Sequence, residues 1–278
     1  MYNGKVIDFH IHIGKKNDWH SWVVDYFKEI NPNLFQKFNE IMNPEGLEKY
    51  LNSEGVTYAV VLAEDSPQTT GVVTNEFVYD FCKNCKKFIP FASVNPATTK
   101  KPEKLLEKYV VEMDFKGLKL YPSYQHFFPN QKENDPLYEK AVELGIPIMF
   151  HTGSSVYKNS KLKYSDPLHL DDVAADFPKL KIIMAHSGRG FWYDKAFFLS
   201  RIHKNLYMEI SGLPPQNLLK YFPELEKNSD KVIFGSDWPG IKSIKENISS
   251  LYSLPLKPKT IEKILYKNAA NILGLEMV

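Results

Sequence analysis

Residues 6–13 of the chain read Val-Ile-Asp-Phe-His-Ile-His-Ile, an apolar run in which every second side chain from Asp8 onward is polar. A two-residue alternation is the period of a β-strand, so His10 and His12 point to the same side. Two imidazoles two residues apart on one face can bind a single metal ion. The run therefore predicts a first strand that carries two candidate metal ligands at its end.

Similar apolar runs recur along the chain and alternate with helical patterns. They predict eight strands over residues 6–13, 58–63, 89–94, 117–121, 146–151, 181–186, 206–210 and 232–236. Apolar residues at three- and four-residue spacing predict helices over 44–53, 74–83, 102–113, 135–144, 168–176, 193–203, 215–227 and 244–251, with a last helix over 259–273. Near-continuous apolar strands separated by helices are typical of a parallel sheet covered by helices.

Eight strands and eight helices predict an α/β fold, a single (β/α)₈ TIM barrel over residues 1–278. The 278 residues suit such a barrel as one domain. An open, doubly wound sheet is the structural alternative. It would more often carry a glycine-rich first turn, and the sequence has neither a G-x-G-x-x-G stretch nor a P-loop.

The composition narrows the choice of partners. The formal net charge is +2 and no basic stripe occurs, so we expect a small-molecule substrate and no nucleic acid. No apolar run approaches the ~20 residues of a membrane span, and no leader peptide is recognisable, so we expect a cytoplasmic protein. Cys82 and Cys85 form a C-x-x-C pair late in a helical pattern. Without a second pair to complete a zinc site, we interpret them as ordinary cysteines.

The segment 15–43 interrupts the alternation after the first strand and is rich in aromatic residues. In a barrel, a long first βα loop lies over the mouth. The segment is therefore interpreted as an insertion over the barrel mouth, with Trp19 as a candidate substrate contact. The alternative is a small packed helical insertion that does not touch the ligand.

Three further predicted strands also end in residues that can bind a metal or transfer a proton. The fifth ends in His151, the sixth in His186, and Asp237 follows the eighth. The C-terminal ends of barrel strands form the face on which barrel enzymes keep their active sites. We therefore expect these side chains to meet His10 and His12 at the barrel mouth. Glu209 and Ser211, near the end of the seventh strand, are interpreted as residues that support this set.

The set His10, His12, His151, His186 and Asp237 resembles that of the amidohydrolase superfamily, in particular the amidohydrolase-2 group of metal-dependent hydrolases and decarboxylases. Three further sequence segments add to this resemblance, which runs from the first strand to the C-terminus. They are Gly-Leu-Lys-Leu-Tyr-Pro at 117–122, Gly-Ser-Asp-Trp-Pro at 235–239 and Asn-Ala-Ala-Asn-Ile-Leu-Gly-Leu at 268–275.

The resemblance implies a role for each residue. His10, His12, His151 and Asp237 would hold one divalent metal ion, most often Zn²⁺, with Mn²⁺ as the alternative. His186 would act beside it as base, proton relay or further ligand, and Asp237 would also transfer protons. Related proteins are often dimers, so a homodimer is possible.

Residues after the fourth and sixth strands are candidates for substrate binding. In some branches of the superfamily a carboxylated lysine on the fourth strand bridges two metals. We expect instead a single-metal site in which Lys119 binds a substrate carboxylate or supports the site. Tyr121 is a candidate pocket residue, and Arg189 is a candidate partner for an anionic substrate group.

The leading functional hypothesis is a metal-dependent hydrolase that activates water against an amide, ester or lactone carbonyl. The runner-up is non-oxidative, metal-dependent decarboxylation of an aromatic or unsaturated acid. A third possibility is a metal-independent lactonase of the same fold. A barrel that only binds a ligand is disfavoured because the complete set of four histidines and one aspartate is present.

Overall fold

The eight predicted barrel strands are confirmed in the computed structural model, which describes residues 2–275. They form one parallel sheet in chain order. Its strands are β1 (Ile7–His12), β2 (Tyr58–Leu62), β5 (Phe88–Ala92), β6 (Gly117–Leu120), β7 (Ile148–His151), β8 (Ile182–Ala185), β9 (Leu206–Glu209) and β10 (Val232–Ile233), while β3 (Glu64–Ser66) and β4 (Gly71–Val73) form a separate antiparallel pair.

The first strand and the chain around the last strand close the barrel. The backbone N–H of Phe9 donates to the carbonyl of Phe234 at 3.1 Å, and that of Asp237 donates to His10 at 3.1 Å. The N–H of His12 donates to the carbonyl of Trp238 at 2.8 Å. These bonds exclude an open sheet and confirm the TIM-barrel fold. They also bring Asp237 beside the two histidines of β1.

The helices lie outside the sheet, between successive strands. They are α1 (Ser21–Ile30), α2 (Pro32–Gln36), α3 (Phe38–Ile41), α4 (Pro44–Ser53), α5 (Asn75–Cys82), α6 (Pro102–Met113), α7 (Pro122–Gln125), α8 (Asp135–Leu144), α9 (His169–Asp176), α10 (Tyr193–Ile202), α11 (Leu218–Tyr221), α12 (Ile244–Tyr252), α13 (Pro258–Glu262) and α14 (Asn268–Leu273). No helix among residues 2–275 is both long and apolar enough to cross a membrane.

Helix α8 shows how local sequence sets these elements. Its buried residues Leu137, Tyr138 and Ala141 recur at helical spacing and face the sheet. The helix ends at Gly145, whose φ of 69° is a left-handed conformation that glycine adopts at little cost. Its bounds agree with the prediction for 135–144.

Two predicted helices are divided in the structure. The segment 215–227 contains the short helix α11 between two 3₁₀ turns, Pro215–Asn217 and Leu225–Lys231. The last helix is divided by a π-helical turn, Lys263–Lys267, between α13 and α14. Apolar spacing alone does not reveal such changes of helical pitch.

The insertion over 15–43 folds into three short helices, α1 to α3. Val23, Phe27 and Phe38 are buried within it, so part of the helical-packing interpretation is correct. Backbone contacts join the insertion to the hairpin β3–β4. The apolar pattern of the sequence did not predict this hairpin. The backbone of Trp19 forms an isolated antiparallel β-bridge with Gly71, and the N–H of His20 donates to the carbonyl of Thr70 at 2.9 Å.

The barrel interior is packed with side chains and leaves the site at one end. Phe9 and Phe91 meet edge to face at 5.5 Å between ring centres, and Met149 and Ile183 belong to the same buried cluster. Ala269 of α14 also packs into this cluster. The chemistry-bearing residues lie at the opposite, C-terminal ends of the strands, as is general for this fold.

Candidate active site

His10, His12 and Asp237 bring three potential ligand atoms to one point. The Nε2 atoms of the two histidines are 3.1 Å apart. Each of them lies 3.4 Å from Oδ1 of Asp237. Alternation along β1 places both imidazoles on one face, and closure of the barrel brings the carboxylate to them.

His186 and His151 complete the cluster. His186 Nδ1 is 3.9 Å from Oδ2 of Asp237, and the rings of His151 and His186 are 4.7 Å apart. His10, His186 and Asp237 offer ligand atoms within 4.8 Å of one another. His151 Nε2 is buried and has no hydrogen-bond partner among the described residues. A buried nitrogen without a partner beside imidazoles and a carboxylate fits a site for a divalent cation.

The protonation states also suit ligands and bases. Burial lowers the pKa of His10 and of His151 well below the usual range, and it lowers that of His186 to about 3. Burial alone would raise the pKa of Asp237, but the imidazoles of His186, His10 and His12 hold it well below its usual range. Burial thus favours the neutral imidazoles and the neighbouring imidazoles favour an ionised Asp237, the forms that bind metals.

Two of the site residues have a strained backbone. Asp237 has a φ of 72° and His186 a φ of 63°, a left-handed region that residues with a side chain rarely adopt. Such conformations cost on the order of 1–3 kcal/mol each and are concentrated at functional sites. The strain supports the view that the barrel holds these two side chains in place for chemistry.

A cavity of about 270 Å³ opens above the cluster. Predicted site residues that line it are His10, His12, His151, His186, Asp237, Tyr121, Arg189 and Trp19. Its aromatic side includes Tyr124 and Tyr157, whose rings meet edge to face at 6.1 Å, and Tyr26, which meets Tyr157 at 5.6 Å. A cavity of this size and lining suits a small, flat organic molecule.

Arg189 is a cation within this lining. Its Nη2 donates to the carbonyl of Ser154 at 2.9 Å, and its Nη1 is 3.7 Å from Oδ2 of Asp237. Gly212 leaves the room that the guanidinium occupies, because a Cβ at this position would collide with Nη1. The guanidinium is thus fixed beside Asp237, where it can pair with a substrate anion.

The sequence predicts that Lys119 binds a substrate carboxylate or supports the site. Within residues 2–275, it is not among those that line the cavity. It is fully buried, and its Nζ lies 5.1 Å from the centre of the Tyr121 ring without a hydrogen-bond partner in the described chain. The charges that act on it are those of Glu209, Asp237 and Glu64, so it contributes to the electrostatics of the site without lining the cavity.

Some lining residues had weak or no support in the sequence. Glu64, at the start of β3, is buried and accepts a hydrogen bond from the Thr70 hydroxyl, and both line the cavity. Its place after the second barrel strand was a usable signal. Tyr26 and Tyr157 lie in an insertion and a loop, where no periodicity marks them as lining residues.

The family model for amidohydrolases matches residues 7–275, almost the entire chain. The chain belongs to the amidohydrolase family. This result confirms the resemblance inferred from the strand-end residues.

Solved structures show the same fold. An uncharacterized TIM-barrel protein, Bb4693 from Bordetella bronchiseptica, is 22% identical over 97% of this chain and 98% of its own, with a TM-score of 0.81. A 2,6-dihydroxybenzoate decarboxylase solved with 2,6-dihydroxybenzoate is 14% identical over 98% and 99%, with a TM-score of 0.74. A dihydroxybenzoic acid decarboxylase from Polaromonas sp. JS666, with bound manganese and 2-nitroresorcinol, is 16% identical over 97% of both chains, with a TM-score of 0.75. No curated protein sequence matches the chain.

Proposed function

We propose that this amidohydrolase-family protein is a metal-dependent, non-oxidative decarboxylase of a small hydroxylated aromatic carboxylic acid. The observation that carries the proposal is the cavity, where tyrosine rings and the Arg189 guanidinium surround the cluster of His10, His12 and Asp237. Aromatic walls suit a flat ring, and a fixed guanidinium suits its carboxylate. The two decarboxylases of the same fold, one with a dihydroxybenzoate and one with manganese, support this choice over hydrolysis.

The metal would be held by His10, His12, His151 and Asp237. Neutral imidazoles with a carboxylate accept both Mn²⁺ and Zn²⁺, so we propose one of these two ions. A divalent cation there would polarise a substrate oxygen and stabilise the negative charge that develops on it. A second metal on Lys119 is not part of the proposal, because that side chain is buried among Glu64 and Glu209.

The protein's own groups account for the proton transfers. The ionised Asp237 accepts the phenolic proton of the substrate and delivers it to the ring carbon that carries the carboxylate. The bond to the carboxylate then breaks, its electron pair returns to the ring, and CO₂ leaves. The phenolate product takes a proton from water. Arg189 orients the carboxylate before this step, and the aromatic walls exclude water.

The test is a panel of hydroxybenzoic acids, lactones and esters, with CO₂ release and product formation measured separately. We expect CO₂ release from a hydroxylated benzoic acid, its loss after chelation, and its recovery with Mn²⁺ or Zn²⁺. Hydrolysis of a lactone or ester without CO₂ release would contradict the proposal. Lactone hydrolysis that survives chelation would indicate a metal-independent lactonase.

A pair of arginine variants tests the substrate carboxylate. Arg189→Gln should raise KM by about tenfold or more, because a charge-assisted hydrogen bond contributes roughly 1.5–3 kcal/mol. Arg201→Gln is the matched control, since Arg201 is exposed and pairs with Glu224 at 3.3 Å. Equal KM values for the two variants would exclude Arg189 as the carboxylate partner.

Hydrolysis is the second candidate, and the state of His186 favours it. Burial lowers the pKa of His186 to about 3, so its neutral imidazole is available to accept a proton from water. Hydrolysis needs no partner for a substrate carboxylate, so Arg189→Gln would leave the KM for an uncharged lactone unchanged.

A further inference from the structure

Behind the metal-ligand cluster lies a second group of buried polar residues on β9 and the chain that follows it. Glu209 is fully buried, and its Oε2 lies 3.2 Å from His10 Nδ1. The Ser211 hydroxyl lies 2.9 Å from the same nitrogen. His10 thus has its Nε2 beside Asp237 and its Nδ1 beside these two residues.

The hydrogen bonds from Ser211 and the charge of Lys119 favour an ionised Glu209 that acts as an acceptor, against burial, which raises the pKa of its carboxyl to about 8. Oε1 accepts from the backbone N–H of Ser211 at 2.8 Å. Oε2 accepts from the Ser211 hydroxyl at 2.7 Å and from the backbone N–H of His186 at 3.3 Å. The Ser211 hydroxyl has therefore used its hydrogen and offers only lone pairs to its other neighbours.

This arrangement favours the His10 tautomer that carries its proton on Nδ1. Glu209 and Ser211 offer acceptor oxygens to Nδ1 at 3.2 and 2.9 Å, closer than Asp237 Oδ1 lies to Nε2, at 3.4 Å, so Nδ1 is the better-placed donor and Nε2 keeps its lone pair. The same reasoning applies to His186, whose Nδ1 lies 3.0 Å from the carbonyl oxygen of Ser211. Only the tautomer with a free Nε2 lets His10 bind a cation beside His12 and Asp237.

The barrel makes room for Glu209 in particular. A Cβ at Gly235 would collide with Oε1 of Glu209, so glycine at this position lets the carboxylate lie between β9 and β10. Lys119, without a hydrogen-bond partner in the described residues, supplies a positive charge close to the Glu209 carboxylate. These features place a carboxylate behind His10 where an apolar side chain would otherwise fill the barrel.

We propose that Glu209, together with the Ser211 hydroxyl, is the positioning residue of the metal centre and holds His10 in its metal-binding tautomer and orientation. The inference rests on the metal site of the proposed function but does not depend on which reaction is catalysed. Carboxylate partners of ligating histidines typically change metal affinity by about 10- to 100-fold.

The first test reads the tautomer in the metal-free wild-type protein. Imidazole ¹⁵N chemical shifts, assigned by comparison with His10→Gln, should show a protonated Nδ1 and an unprotonated Nε2 for His10. A His10 protonated on Nε2 would overturn the proposal without any variant of Glu209.

The second test measures Mn²⁺ and Zn²⁺ affinity by competition with a chelator, without substrate. Glu209→Gln should weaken binding by about 10- to 100-fold. Glu226→Gln is the control, because Glu226 accepts hydrogen bonds from the Lys257 N–H and the Thr260 hydroxyl and is not among the described residues that line the cavity. Ser211→Ala should weaken binding less than Glu209→Gln, since the carboxylate still faces Nδ1.

The outcomes separate this inference from the proposed function. Unchanged affinity in folded Glu209→Gln, or an equal loss in Glu226→Gln, overturns the positioning role while leaving decarboxylation intact. A selective loss in Glu209→Gln supports it even if no acid is decarboxylated. A wild-type protein that binds neither metal overturns both proposals.

Discussion

The floor and the wall of the cavity are built by different parts of the chain. The floor consists of His10, His12, His151, His186 and Asp237, which lie at or just after the ends of barrel strands, with Glu209 and Ser211 behind it. The wall consists of Trp19, Tyr26, Tyr124 and Tyr157, which come from the insertion and from loops. Polar hydrogen bonds hold the floor, whereas ring contacts hold the wall.

The difference shows how this barrel separates chemistry from substrate choice. A strand end is fixed on both sides by parallel neighbours, so its side chain keeps a set position. A loop side chain has fewer such constraints and varies more readily. We therefore expect changes in the floor to alter kcat and metal affinity, and changes in the wall to alter KM and preference among substrates.

The largest effect should follow Asp237→Asn. The amide cannot carry a proton to the substrate, so kcat should fall by about 10³-fold, within the usual range for loss of a general acid or base. Steady-state kinetics on the acid identified by the panel would measure the change. Asp194→Asn, on the exposed side of α10, is the control and should match the wild type. Comparable activity in both variants would remove Asp237 from the chemistry.

The floor could be predicted from sequence because its residues follow a simple rule. His10 and His12 share a strand face by alternation, and His151, His186 and Asp237 end or follow apolar runs that periodicity identifies as strands. The wall could not be predicted in this way. Tyr26 and Tyr157 approach each other only through the packing of the insertion on the loop after β7, and no local pattern encodes that distance.

Lys119 shows what the strand-end rule leaves open. It lies on β6, within the segment 117–122 that resembles the family, yet its side chain is buried inside the barrel. Strand alternation gives the side of the sheet but not the depth at which a long side chain ends. Glu64 and Glu209, whose charges act on Lys119, are distant from it in sequence and approach it only in the closed barrel.

A smaller effect should appear in the stability of the metal-free protein. Burial lowers the pKa of His186 to about 3, whereas an unfolded histidine titrates near 6.5. Below pH 6.5 the unfolded state therefore binds more protons, and this residue's contribution to stability is lost as the pH falls toward 3. Between pH 5.5 and 4.5 the loss should be about 1.4 kcal/mol per pH unit.

Urea unfolding of the wild type and His186→Gln, both without metal, would measure this contribution. The variant should show a slope of unfolding free energy against pH that is smaller by that amount. Subtraction removes the opposing contribution of Asp8, whose pKa burial raises to about 7. Parallel slopes would mean that His186 is protonated in the folded floor.

The smallest effect should come from the wall. Tyr157→Ala removes a ring that meets Tyr26 and Tyr124 edge to face, and such contacts contribute about 0.5–1.5 kcal/mol. We expect KM to rise by about fivefold while kcat stays within roughly twofold, since uniform binding is lost but the floor is untouched. Tyr252→Ala, an exposed tyrosine on α12, controls for a general effect of removing an aromatic ring. A fall in kcat at constant KM would break the separation between floor and wall, because it would mean that the loop tyrosine takes part in the transition state.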